Sequence, residues 1–487
     1  MKKLFVALLF WLSLAHSLSF KELKSQPKSI EKDFFIYLYL QQDPPNYEAS
    51  ELFKEVKHLN SKLKKEFAKY GLKTPAKAKQ EKPLIAYNLK KLSSLPPQKF
   101  LEIFNTLSSW HIGKYLNEPL PKEYVKKLAG FSGFNRMSKL ILNSNATKLK
   151  NSILDIESSK TKAESSFYMA MANLKNKPLT IHYLKLAHKN AISIFKKNRA
   201  TFWLYLVTKD KKYLKELGKS KELNIYSLYA YENLNKSFDN IVTEFKIKQN
   251  SPNFDYKNPF SWVKVRKKFY KNLRRYKTHK TKREYLKKSL SAKATQPHLA
   301  YLLENYDKKN YFLFPYYEYI QNLPKKRQAL ILAIAKQESK FIPTAVSPSF
   351  ALGMMQFMPF LAKHSAKKFG MKKFRYSDMF DPKVAYLFAN DHLDYLQRHL
   401  FHPLLIAYAY NGGIGYTKRN ILQNRNFFTK NRYEPFYSLE MIKPKQPMHY
   451  AKKVLANYVV YCNLLGINIT LTDMLNQLKD ISSCHDF

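Results

Sequence analysis

Glycine is scarce in this chain of 487 residues: there are 11, and only those at positions 71, 113, 130, 133 and 218 precede position 353. With so few residues able to break regular structure, the first two thirds is expected to be built of helices. Cysteine is scarcer still. Cys462 and Cys484 are the only two, which excludes a disulfide framework and leaves the sequence silent on whether these two pair. Acids are few as well: 36 Asp and Glu stand against 85 Lys and Arg, a formal charge of +49. That imbalance points to an anionic partner, although lysine spread over solvated helix faces accounts for part of it. A long apolar run is missing from the start of the chain, where Leu4 to Leu14 falls short of the ~20 residues needed to cross a bilayer.

What does stand at the start has the pattern of a secretory signal. Met1-Lys2-Lys3 precedes the apolar run, and Ala15-His16-Ser17 supplies small residues for cleavage. Export is therefore expected, with residues 1–17 removed and the mature chain in the periplasm. No cysteine near the cleavage point offers an attachment for lipid, so no stable membrane anchor is expected. Export also takes the basic chain away from nucleic acid, leaving wall carboxylates and anionic lipid as partners.

The length exceeds the ~250 to 300 residues at which one core stops growing, so more than one domain is expected. Segments 165–174, 181–195 and 222–234 space Leu, Ile, Phe, Tyr and Ala three and four apart among lysines, as amphipathic helices do. Without a strict period, these suggest a helical-pair solenoid rather than a regular repeat array. Lys264 to Lys288 is strongly basic and reads either as an anion contact or as a solvated helical linker. After about Tyr311 the character changes, and the remaining six glycines fall between 353 and 466. The expected division is thus an α-superhelical domain over 18–310 and a compact second domain over 311–487.

Chemistry concentrates in the second part. From Pro324 to Pro343 the period is helical, with Leu330, Ala333, Ile334, Gln337 and Phe341 on one face and Glu338 one turn after Ile334. Pro343 disfavours helix at Ile342, so the helix should stop within about a turn of Glu338. A carboxyl at the negative end of a helix among apolar neighbours is held protonated, as a general acid requires. A half-exposed glutamate paired with Lys340 or Lys336 is the bland alternative. Downstream come Ser347, then Gly353-Met354-Met355-Gln356-Phe357-Met358-Pro359, and later Ala409-Tyr410-Asn411-Gly412-Gly413.

Glu338-Ser339 and these two segments resemble, in order and spacing, the three motifs of the soluble lytic transglycosylases of peptidoglycan, over roughly Tyr311 to Gly466. A fourth element, Glu440-Met441-Ile442 followed by Tyr450, is similar to the family's Glu-x-Ile-Pro segment and later tyrosine. Three departures accompany it. Lys443 stands where proline is usual, Phe350 replaces a glycine, and Gln446 replaces an acid.

The resemblance implies a mainly α protein, with a curved superhelical domain followed by a lysozyme-like α domain. It implies Glu338 as the catalytic acid, with Ser347, Met355, Gln356, Met358, Tyr410, Asn411, Glu440 and Tyr450 around the sugar. It also implies a single acid that serves twice, where ordinary glycosidases use two carboxylates. Glu338 would protonate the bond between N-acetylmuramic acid and N-acetylglucosamine, then take a proton from the muramic C6 hydroxyl and leave a 1,6-anhydro end. A hydrolytic muramidase and a non-catalytic wall-binding scaffold are the alternatives. Peptidoglycan strands, and envelope complexes that recruit the enzyme, are the expected partners of a monomer. No cofactor is expected, and the spacing of His392, His399 and His402 matches no common zinc motif.

Overall fold

The computed structural model describes residues 18–73, 86, 88–237, 240–249, 252–423, 427–429, 432–443 and 445–479. The expected signal at 1–17 and Cys484 lie outside them. The regular structure of the described chain is almost all helix, its only named strands being the two-residue parallel pair Ile241–Val242 and Asn310–Tyr311. It divides into two compact units, one made of residues 1–77, 239–429 and 442–487, the other of 78–238 and 430–441.

The second of these is a run of short helices from Leu89–Ser93 to Ile225–Asn233, each packed chiefly on helices one or two places away in the sequence. Polar side chains cap several of them. The helix expected over 181–195 is split: Lys177–Lys189 ends at Asn190, and Ser193 accepts the Lys196 N–H to start Ile194–Thr208. Its core holds a charge, Arg199, whose side chain is 2% exposed. The guanidinium lies 3.9 Å from the centre of the Phe167 ring and is ion-paired with Glu164.

The other unit contains the four N-terminal helices between Phe20 and Ala68 and everything from the basic stretch onward, save 430–441. The basic stretch is not a solvated linker. It forms two helices, Pro259–Leu273 and His279–Ser289, whose apolar residues Trp262, Phe269, Leu273 and Leu286 share a buried core with Leu299, Leu302, Leu303 and Ile342. Burying each such side chain contributes about 1.5 to 3 kcal/mol. The central helix of the unit, Lys325–Ser339, is buried from Gln328 to Ala335 and packs on Lys445–Leu464, which in turn packs on Pro403–Gly412. Hydrogen bonds from Asn457 to the Ala333 carbonyl (3.3 Å) and from Tyr461 to the Leu313 carbonyl (2.9 Å) fix the long helix against its surroundings.

Candidate active site

Helix 325–339 ends one residue after Glu338. Lys340 caps it in the left-handed region at φ 55°, its N–H donating to the carbonyls of Ala335 and Lys336, and Phe341 follows at φ 64°. The helix thus stops where Pro343 requires it to, and Glu338 is left half-buried near the negative end of the dipole. Burial pushes its carboxyl up to about 7, and the Tyr450 hydroxyl, donating to Oε1 at 2.8 Å, pulls the other way. Lys336 and Lys340 are both occupied away from it. Lys336 donates to the Tyr311 carbonyl at 2.7 Å and lies over Phe312, while Lys340 pairs with Glu304.

Tyr450 is buried on helix 445–464, and Tyr410 stands near the end of helix 403–412. Both phenols are held well above their ordinary range, first by burial and then by the Glu338 charge, so each remains a donor at neutral pH. Tyr410 donates to the Met355 carbonyl at 2.8 Å, and the Ser339 hydroxyl donates to the Met354 carbonyl at 2.8 Å. The loop after helix 325–339 is thereby tied to Glu338's own helix.

That loop is held by its backbone. Leu352 and Phe357 exchange N–H donors at 2.8 and 3.0 Å, and the Gly353 N–H reaches the Ala345 carbonyl at 2.9 Å. Gly353 sits at φ 72°, and a Cβ there would lie 2.1 Å from the Met379 carbonyl oxygen, so no other residue fits. The Gln356 amide donates to the carbonyls of Ala345 (3.1 Å) and Gly353 (2.8 Å), and the Ser347 hydroxyl accepts the Ala351 N–H at 2.9 Å. Met354 and Met355 are fully buried, Met358 and Asn411 half-buried. Ser347, Met355, Gln356, Tyr410 and Tyr450 therefore connect to Glu338 or to its loop by hydrogen bonds and sequence adjacency.

Glu440 belongs to the other unit. Its side chain is 2% exposed, accepts from the Tyr226 hydroxyl at 2.5 Å and lies 3.9 Å from the Arg199 guanidinium. Two side chains at the site carried no role in the sequence reading. Phe350, the residue in place of a glycine, adopts φ 66° and is fully buried, its ring 5.5 Å from Phe34 and 5.4 Å from Tyr37. His392 packs against Tyr410 at 5.5 Å and Phe357 at 5.9 Å, and burial lowers its pKa. Its place one turn after Phe388 on a helix was the available signal. Among the described residues no group of His, Cys, Asp and Glu is set to hold a metal, and no helix is long and apolar enough to cross a membrane.

Fold and site together define an α-helical protein with a half-buried carboxyl at a helix end, held by one phenol, Tyr450, and beside a loop held by a second, Tyr410. Residues 315–433 match the family described as the transglycosylase SLT domain. The chain is similar to the soluble lytic murein transglycosylase of Salmonella typhimurium, 30% identical over 141 residues that make up 28% of this chain and 21% of that protein. It is likewise similar to that of Escherichia coli K12, 31% identical over 146 residues, 30% of this chain and 22% of the relative. These matches span about a fifth of the relatives' own length.

Among solved structures, an inactive mutant of the lytic transglycosylase Slt from Pseudomonas aeruginosa aligns with a TM-score of 0.52 at 16% identity, over 91% of this chain and 74% of that one. The complex of a 70-kDa soluble lytic transglycosylase with bulgecin A aligns at 0.50 and 18%, over 92% and 83%. The shared fold is an α-superhelical part followed by a lysozyme-like α domain.

Proposed function

We propose that this chain is a periplasmic lytic transglycosylase that cleaves peptidoglycan between N-acetylmuramic acid and N-acetylglucosamine without consuming water, and that residues 311–487 carry the chemistry. The observation that carries this reading is Glu338, a half-buried carboxyl at the end of its helix that accepts from the Tyr450 hydroxyl at 2.8 Å and is pushed up to about 7 by burial.

Protonated Glu338 gives its proton to the glycosidic oxygen as the bond to C1 breaks. The carboxylate so formed is steadied by the Tyr450 hydroxyl and is then the base that accepts the proton of the muramic C6 hydroxyl, which closes on C1. Ser347, Gln356, Met358 and Asn411 line the sugar side of this centre, and Tyr410 holds the Met355 carbonyl and thus the loop. Glu440, engaged by Tyr226 and Arg199, is assigned a structural role here in place of a sugar contact.

Mass spectrometry of fragments released from purified peptidoglycan tests the reading. Ends lighter by one water than hydrolysed ends, and absent with Glu338→Gln, are expected. Hydrated ends would make the protein a muramidase, and no release from the unmodified chain would sink the enzymatic assignment.

A further inference from the structure

The helical pair Pro259–Leu273 and His279–Ser289 presents an unusual surface. Between positions 264 and 288 the chain places 13 Lys and Arg against one acid, Glu284. Among the described residues these cations make one ion pair within 4 Å, Arg266 with Glu31 at 3.8 Å. The apolar sides of both helices are buried in the core, so the charge is displayed outward. An array of like charges left without counter-charges raises the folded-state energy unless an anion answers it.

The array is not flat. Tyr270, Leu273, Arg274, Lys282 and Tyr306 line a cleft of about 400 Å³. Lys282 Nζ stands 5.4 Å from the centre of the Tyr306 ring, and the Arg283 guanidinium donates to the Tyr306 carbonyl at 2.9 Å, which fixes that wall. Two cations beside two phenol rings over an apolar floor suit a small ligand that carries a carboxylate on a short aliphatic body. A membrane surface would call for an even basic face instead of a recess.

The cleft is also joined to the catalytic segment. Ile342 and Ala345, just past Glu338, pack in the same core as the helical pair. Lys340 pairs with Glu304 and lies 5.5 Å from the centre of the Tyr301 ring, tying the catalytic helix end to the helix that follows the pair. A polymer branch held in the cleft is therefore held by the same rigid core that positions Glu338.

We propose that this cleft is a second binding site, for the acidic peptide stems that branch from a peptidoglycan strand. The proposal rests on the function read above. Arg274 and Lys282 meet the stem carboxylates, while the rings of Tyr270 and Tyr306 cover its aliphatic part.

Calorimetry with a stem tetrapeptide bearing free carboxylates, beside the same peptide amidated at every carboxyl, is the test. The full chain is expected to bind the acid and not the amide. The double variant Arg274→Glu/Lys282→Glu should weaken binding about tenfold or more. Lys287→Glu/Lys288→Glu, an equal charge change outside the cleft, should stay within about twofold at physiological salt. Circular dichroism confirms that both variants fold. Equal loss in the two variants would reduce the effect to the general field and overturn the site. So would unchanged binding in the cleft variant, or binding of the unmodified chain to phosphatidylglycerol vesicles but not to the peptide. Peptide binding is read without catalysis, so its failure is separable from a failure of wall cleavage.

Discussion

In the proposed mechanism Glu338 is an acid before the bond breaks and a base after it, and a carboxyl near 7 is poised for both. Its folded pKa lies above the ordinary value of 4.5, so the proton it needs is present at low pH and lost as pH rises through about 7. The turnover rate is expected to fall along that limb. Tyr450→Phe removes the contact that lowers the pKa, so the limb should move to higher pH while the rate itself drops. A limb that stays in place in the variant would separate Tyr450 from the titration. Stability follows the same sign: the contribution of the protonated form is complete below 4.5 and disappears above 7. Glu338→Gln, which cannot ionise, should be about 1 to 3 kcal/mol more stable than the unmodified chain at pH 8 and nearly equal at pH 4. Denaturant titrations at the two pH values measure this, and a gain of the same size at pH 4 would mean that the carboxyl is not held up by burial.

At the scale of elements, the helix end at Glu338 was legible because Pro343 states a backbone rule that packing cannot override. The loop Gly353 to Pro359 was legible through its resemblance and through a glycine whose φ is explained by a carbonyl in the way. Phe350 was legible only as a departure. A phenylalanine at φ 66° costs roughly 1 to 2 kcal/mol, and its burial against Phe34 and Tyr37 outweighs that cost. The partners lie more than 300 positions upstream, so no local pattern announces the contact. The N-terminal helix Ile30–Leu40 is in this way the anchor of the loop that carries Ser347, with Asn60 adding a hydrogen bond to the Pro348 carbonyl at 2.8 Å. Phe350→Gly relieves the backbone and loses the anchor. It should lower stability by about 2 kcal/mol net and raise KM for the wall more than it lowers kcat. A stabilised variant with unchanged KM would show that the loop holds itself.

At the scale of the molecule, sequence order and spatial grouping part company at residues 430–441. The chain leaves one compact unit at 429, contributes this segment to the other, and returns at 442. Within the helical unit Glu440 meets Arg199 and Tyr226, Phe436 packs on Phe202 at 4.7 Å, and Tyr433 packs on Trp203 at 5.7 Å. A motif that resembled a sugar contact from its place in the sequence is thus held by side chains over 200 positions upstream, and only the fold brings those together. Arg199 depends on both Glu164 and Glu440, since a cation with a side chain 2% exposed has no water to solvate it. Glu440→Gln keeps the shape and the Tyr226 contact but withdraws one countercharge. Breaking such a pair leaves an incompletely compensated buried charge, so stability should fall by about 3 kcal/mol, with KM for peptidoglycan unchanged below the melting range. The denaturant midpoint and the kinetics at a temperature where the variant is folded decide between the two roles. A raised KM at undiminished stability would return Glu440 to the substrate.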